Sequence, residues 1–103
     1  MTIPPVLVQV DKWRLRRLFN SARFYERVLS RELSALVVYR RIPSPLSNQP
    51  PGTMSEEVEY YSATEVVARV HQFVLPDGSL GASGRPDPKA LVWEDTLYVL
   101  KPQ

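Results

Sequence analysis

The chain contains no cysteine, one histidine and four glycines in 103 residues. Without cysteine there is no disulfide, no thiolate zinc site, no iron–sulfur cluster and no cysteine nucleophile. A single histidine leaves only carboxylates for a metal. Asp77, Asp87, Glu94 and Asp95 fall mostly where turns are expected, and an aspartate in a turn usually satisfies its own backbone, so no metal and no cofactor is expected. Gly78, Gly81 and Gly84 form neither a dinucleotide fingerprint nor a phosphate-binding loop. Gly-x-Ser-x-Gly, the strained serine elbow of many hydrolases, does not occur. Long apolar runs are missing too. Ala35–Val38, extended by Tyr39, is the longest, far short of the roughly 20 residues that span a bilayer, so no membrane partner is expected. The opening Met1-Thr2-Ile3-Pro4-Pro5 lacks a basic segment followed by an apolar one, so no signal peptide is expected. The expectation is a soluble, cytoplasmic protein.

What is present fits one domain over residues 1–103, with 44% hydrophobic and 23% charged residues, as in an ordinary folded chain. Charge is unevenly placed. Residues 11–41 hold nine Lys and Arg against Asp11, Glu26 and Glu32, a balance of +6, whereas the remainder holds four against eight acids, a balance of −4. A net charge of +2 thus conceals a dipolar chain, and such asymmetry points to an anionic partner.

Val6–Val10 is short and β-branched and reads as an edge strand or ordered arm. Residues 11–41 form a basic helical region. Leu15, Leu18, Phe19, Ala22, Tyr25, Leu29, Leu33 and Leu36 recur near one side at the helical period, as one helix or as two broken at Asn20-Ser21 with Ser21 as a cap. Pro43 ends it by Ile42. Residues 42–55, rich in proline and hydroxyl side chains, form a loop. Residues 56–103 form a strand and hairpin region. Within 63–75, Ser62-Ala-Thr-Glu65 has the form of a helix capping box, but four valines and the turn-forming Leu75-Pro-Asp-Gly-Ser79 favour a strand from Val66 to Leu75. Ala90–Trp93 and Thr96–Leu100 flank Glu94-Asp95 as a second hairpin. The expected fold class is α+β, an N-terminal amphipathic helix (or two helices) packed on a small antiparallel β-sheet formed by the C-terminal half.

On a continuous helix Arg16, Asn20, Arg23, Arg27 and Arg31 align as a ridge roughly 22 Å long, with Arg40 and Arg41 closing the basic segment. Like charges spaced this way repel by a few tenths of a kcal/mol per pair. Arginine's planar fork suits phosphate oxygens, and phosphates supply most nucleic-acid affinity. The expected partner is therefore nucleic acid, RNA ahead of DNA, or an acidic protein on which the same helix docks as an accessory module.

A second cluster lies between Arg69 and Lys89, holding His71, the only histidine, with Ser83 and Arg85. A histidine near neutrality can move the 2′-hydroxyl proton of RNA, and arginine or lysine can stabilise charge on phosphorus. The candidate catalytic set is His71, Arg69, Arg85, Lys89 and Ser83. In layout and residue type the combination resembles small bacterial ribonuclease toxins of the RelE and colicin type. No motif is matched position by position, and no site is carried over from them.

Overall fold

A computed structural model of the protein describes residues 6–102; the opening residues 1–5, read above for a signal sequence, lie outside that range. The elements in chain order are β1 (Val6–Val10), α1 (Lys12–Ser21), α2 (Phe24–Leu29), β2 (Ser34–Arg41), β3 (Met54–Ser62), β4 (Glu65–Val74), β5 (Asp87–Trp93) and β6 (Thr96–Leu100), with a short 3-10 turn at Pro45–Ser47. The strands form one six-stranded sheet ordered β1-β6-β5-β4-β3-β2. The α+β class and an N-terminal helical layer are as expected. The sheet differs in two ways. It takes two strands from the first 41 residues, and β1 pairs with β6 in parallel, so it is mixed rather than antiparallel. The helical pair therefore carries the chain from one edge of the sheet to the other across a single face.

The long basic helix divides into three pieces. Asp11 caps α1 by accepting a hydrogen bond from the Arg14 backbone N–H at 2.8 Å. Leu15 and Phe19 then face the core. The chain leaves the helix at Ala22, and Arg23 takes a left-handed φ of 59°. Ser21 does not cap the second helix; its hydroxyl donates back to the Leu18 carbonyl. A second left-handed residue, Arg31 with φ 67°, turns the chain after α2. Leu33 anchors in the core, and residues 34–41 continue as strand, where the β-branched Val37 and Val38 and the aromatic Tyr39 are favoured. Leu29 and Leu36, which a continuous helix would have buried with Leu33, are 64% and 54% exposed.

The core lies between the helices and the middle of the sheet. Leu15, Phe19, Ala22 and Phe24 pack against Val58, Tyr60, Ala68, Val70 and Leu91, with Val10 and Leu33 at the margins. Phe19 stacks on Phe24 at 5.7 Å between centroids, and Trp93 meets Phe24 edge-on at 6.1 Å. Full burial of such side chains contributes about 1.5–3 kcal/mol each. β4 runs where a strand was expected, and β5 and β6 form the second hairpin. The acidic run Glu56-Glu57-Val58-Glu59, which reads as a solvated edge, is instead an interior strand. Glu56 is 5% exposed and accepts hydrogen bonds from Arg40 Nε at 2.7 Å and Gln72 Nε2 at 2.9 Å.

Candidate nucleic-acid interface

β4 and β5 pair from Ala68↔Leu91 to His71↔Asp87, and there the ladder stops. β4 continues to Val74, turns at Leu75–Ser79, and returns only as a bridge at Leu80 and a hydrogen bond from Gly81 N–H to the Phe73 carbonyl at 2.8 Å. Residues 82–84 are exposed, and the chain is buried again at Pro86 before β5 begins. The gap between strand and loop is a cleft of about 370 Å³, roofed by Arg16 and Asn20 of α1 and lined by His71, Phe73, Ser83, Arg85 and Asp87.

Asp87 is the hub of the charges. Its carboxylate receives Arg16 Nε at 2.8 Å on one oxygen and Lys89 Nζ at 3.0 Å on the other. Burial pushes its pKa up, but the hydrogen bonds from Arg16 and Lys89 outweigh that and hold it below the usual carboxylate value. Arg85 reaches Asn20 Oδ1 at 3.2 Å and Glu26 Oε2 at 2.9 Å, and its guanidinium lies 5.4 Å from the centre of the Tyr25 ring. A backbone hydrogen bond, followed by the pairing with Arg85, keeps the Glu26 carboxyl below its usual value against the opposing effect of burial. Arg85 Nε is buried without a hydrogen-bond acceptor among the described residues, an arrangement that costs on the order of 1–3 kcal/mol.

His71 sits on β4 with Nε2 at 2.7 Å from the Ser55 hydroxyl on β3 and its ring edge-on to Phe73 at 4.7 Å. Burial, then repulsion from Lys89 and Arg41, lowers its pKa, with Asp87 and Glu57 opposing. The ring is therefore neutral at pH 7. If Nε2–H donates to Ser55 Oγ, the free lone pair of the ring is on Nδ1. Ser83 acts locally: its hydroxyl bonds the backbone of Arg85 as donor and as acceptor, both at 3.3 Å.

Of the expected catalytic set, His71, Ser83 and Arg85 border this cleft, with Arg16 and Asn20 from the expected phosphate-binding set. The His71 side chain keeps to the sheet face of Ser55 and Phe73, opposite the one on which Val70 packs under the helices. Arg69 does not join them; it pairs with Glu59 at 3.0 Å. Lys89 lies beyond Asp87, in a second depression of about 340 Å³ that also bears Lys12, Trp13 and Lys101. The arginine ridge is not formed. Arg23 and Arg31 occupy left-handed turns, Arg27 pairs with Glu32 and covers the Phe24 ring, and Arg40, on β2, pairs with Glu56. Arg41 follows it at the end of β2 and makes no ion pair among the described residues. The acidic half of the chain thus neutralises part of the basic half directly, through Asp87 and Glu56.

Ser55, Gln72 and Asp87 were not singled out by the sequence. Asp87 sits between two prolines and reads as a turn residue, and only the β3–β4 register reveals that Ser55 meets His71. No group of three or more acidic or histidine side chains among the described residues is arranged to hold a metal ion, and no helix there is long and apolar enough to cross a membrane. Comparison with protein families, with curated proteins and with solved structures finds no match.

Proposed function

We propose that the protein binds single-stranded RNA, laying it along α1 so that one phosphate seats in the cleft beside Arg16, Asn20 and Arg85. The observation that carries this reading is convergence. Side chains from α1, β4 and the loop before β5 meet around one cleft, and Lys12, Lys89 and Lys101 border the depression next to it. Trp13 has Lys12 Nζ at 5.1 Å and the Arg16 guanidinium at 5.2 Å from its ring centre, and is 63% exposed. Such a ring can stack on a base of any identity. Asp87 then serves as a counter-charge that positions Arg16 and Lys89.

The Ser55–His71 pair favours a second step, cleavage of the bound strand. Neutral His71 accepts the 2′-hydroxyl proton through Nδ1, the 2′-oxygen bonds to phosphorus, and the bond to the 5′-oxygen breaks. The leaving oxygen takes a proton from water, and the products are a 2′,3′-cyclic phosphate and a 5′-hydroxyl. Arg16 and Arg85 stabilise the charge that accumulates on phosphorus.

Binding of labelled single-stranded RNA across a salt series tests the first step. Log affinity should fall with log salt by about 0.7 for each phosphate contacted. Arg85→Ala and Trp13→Ala should weaken binding, the latter by about 1–3 kcal/mol, and Asp87→Asn, which removes an anion from the cleft, should tighten it. No binding at low salt refutes the proposal. For cleavage, the RNA should be cut and the matching DNA strand bound but intact, because DNA lacks the 2′-hydroxyl. Equal cutting by wild type and His71→Ala removes His71 from the reaction.

A further inference from the structure

We propose that β2 is a self-association edge, through which two copies of this chain pair antiparallel into one continuous sheet. The proposal is independent of the RNA reading, since β2 lies at the far side of the sheet from β1 and shares no residue with the cleft.

β2 is the last strand in the sheet order and pairs only with β3, so among the described residues its outer backbone N–H and C=O groups have no strand partner. Every residue from Ser34 to Arg41 is exposed, including Leu36 and Tyr39 at 54% each. Natural proteins blunt such edges with lysine, proline, inward-pointing charge, bulges or a covering element. Ala35–Tyr39 has none of these but a bulge at Val38, which shifts the register between Val37 and Tyr39 without ending the ladder.

The chain exposes 7004 Å², whereas a monomer of 11.8 kDa is expected to expose roughly 5,900 Å². The excess, about 1,100 Å², is spread over the whole chain, with β2 and the loop bearing Ile42 and Leu46 both contributing to it. The radius of gyration, 13.9 Å, likewise exceeds the roughly 12.8 Å expected for this length.

A second copy fits this edge because the strand complements itself in one direction. In antiparallel order the apolar centre, Leu36 to Tyr39, meets its own counterpart, and Arg40 and Arg41 of each copy fall opposite the uncharged Ser34-Ala35 of the other. Parallel order would bring four guanidinium groups together. The two-fold axis of an antiparallel pair stands normal to the sheet and leaves both helical layers on the same side. Ala35 and Val37, which border an apolar trough of about 220 Å³ with Tyr25 and Val28 of α2, then lie at the joint. Because each copy uses its own β2, the assembly closes at two.

Sedimentation at concentrations well above micromolar should give twice the chain mass. Leu36→Lys should halve that mass while leaving the far-ultraviolet circular dichroism and the RNA affinity unchanged. The chain has no cysteine, so Val38→Cys should form a disulfide-linked dimer on mild oxidation, and Trp13→Cys, equally accessible on α1, should not. A wild type that remains monomeric overturns the proposal. So does a dimer that survives Leu36→Lys without cross-linking through Val38→Cys. Loss of RNA binding with the dimer intact would instead count against the cleft alone.

Discussion

At the scale of single residues, His71 couples the fold to pH. Its pKa is lowered in the folded chain from the ordinary 6.5, first by burial and then by Lys89. The unfolded chain therefore takes up the proton at higher pH than the folded one does. Stability owed to this group is fully present above pH 6.5 and declines as the pH falls through 6.5 toward the lowered folded value. Charges facing His71 come from β5 (Lys89, Asp87), β2 (Arg41) and β3 (Glu57). The carboxyl groups of Asp87, Glu26 and Glu59 are held below their usual values and act in a lower range, with stability lost as they protonate. Urea unfolding midpoints measured from pH 5 to 7.5 should therefore drop on the acid side in wild type, and the drop above pH 6 should be absent in His71→Gln. A wild-type midpoint that is flat across that interval would exclude the coupling. His71 was conspicuous in the sequence as the only histidine. Its environment was not, because Ser55 is sixteen residues away and reaches it only across the β3–β4 ladder.

At the scale of elements, the turns carry most of what the sequence left ambiguous. Glu94 and Asp95 join β5 to β6 with φ of 49° and 61°, both left-handed, as a two-residue hairpin turn that follows the twist of the strands requires. Neither residue is glycine or asparagine, so the turn is strained where its geometry is most demanding. Asp95→Gly should raise stability by up to about 1 kcal/mol, because the left-handed strain relieved, about 1–2 kcal/mol, exceeds the roughly 0.5–1 kcal/mol of freedom that glycine adds to the unfolded chain, read as a higher midpoint at unchanged denaturant slope. The same feature hid the end of α2, whereas α1 ends at Ser21, where the break at Asn20-Ser21 was expected. Arg31 turns the chain after α2 with a left-handed φ, and no glycine, asparagine or proline marks that point. Leucines at 29, 33 and 36 satisfied a helical period that the chain does not follow, since only Leu33 of the three is buried. β4, by contrast, was legible because its four valines and the Pro76-Asp77-Gly78 turn agree with each other. Asp77 accepts hydrogen bonds from the Ser79 N–H at 2.9 Å and hydroxyl at 2.6 Å, and Gly78 takes φ 88°.

At the scale of the molecule, β1 is the piece that joins the chain's beginning to its end. It pairs in parallel with β6 from Val6↔Thr96 to Val10↔Leu100, the Val10 carbonyl accepts from the Lys101 N–H at 2.9 Å, and Val10 is 2% exposed in the core. Deleting residues through Val10 would uncover the apolar edge of β6 and open the core beside Leu15. A small domain has only about 5–15 kcal/mol of stability in total, so the shortened chain should lose its cooperative urea transition. A transition that keeps its midpoint would show that β1 is an accessory arm.

Local chemistry alone determined that this is an α+β chain with a capped amphipathic first helix, a proline-rich connection, a valine-rich strand and a final hairpin. Each of those follows from residues close together in sequence, where period, capping and turn propensity act. Tertiary structure decided the rest. It placed β1 beside β6, turned residues 34–41 into an exposed edge strand, and set Arg16 on Asp87 and His71 on Ser55. These outcomes rest on pairings between distant segments, whose register is set by burial and by which charges can meet. Of the five residues expected to form one ridge, only Arg16 and Asn20 border the cleft, because the chain turns at Arg23 and Arg31.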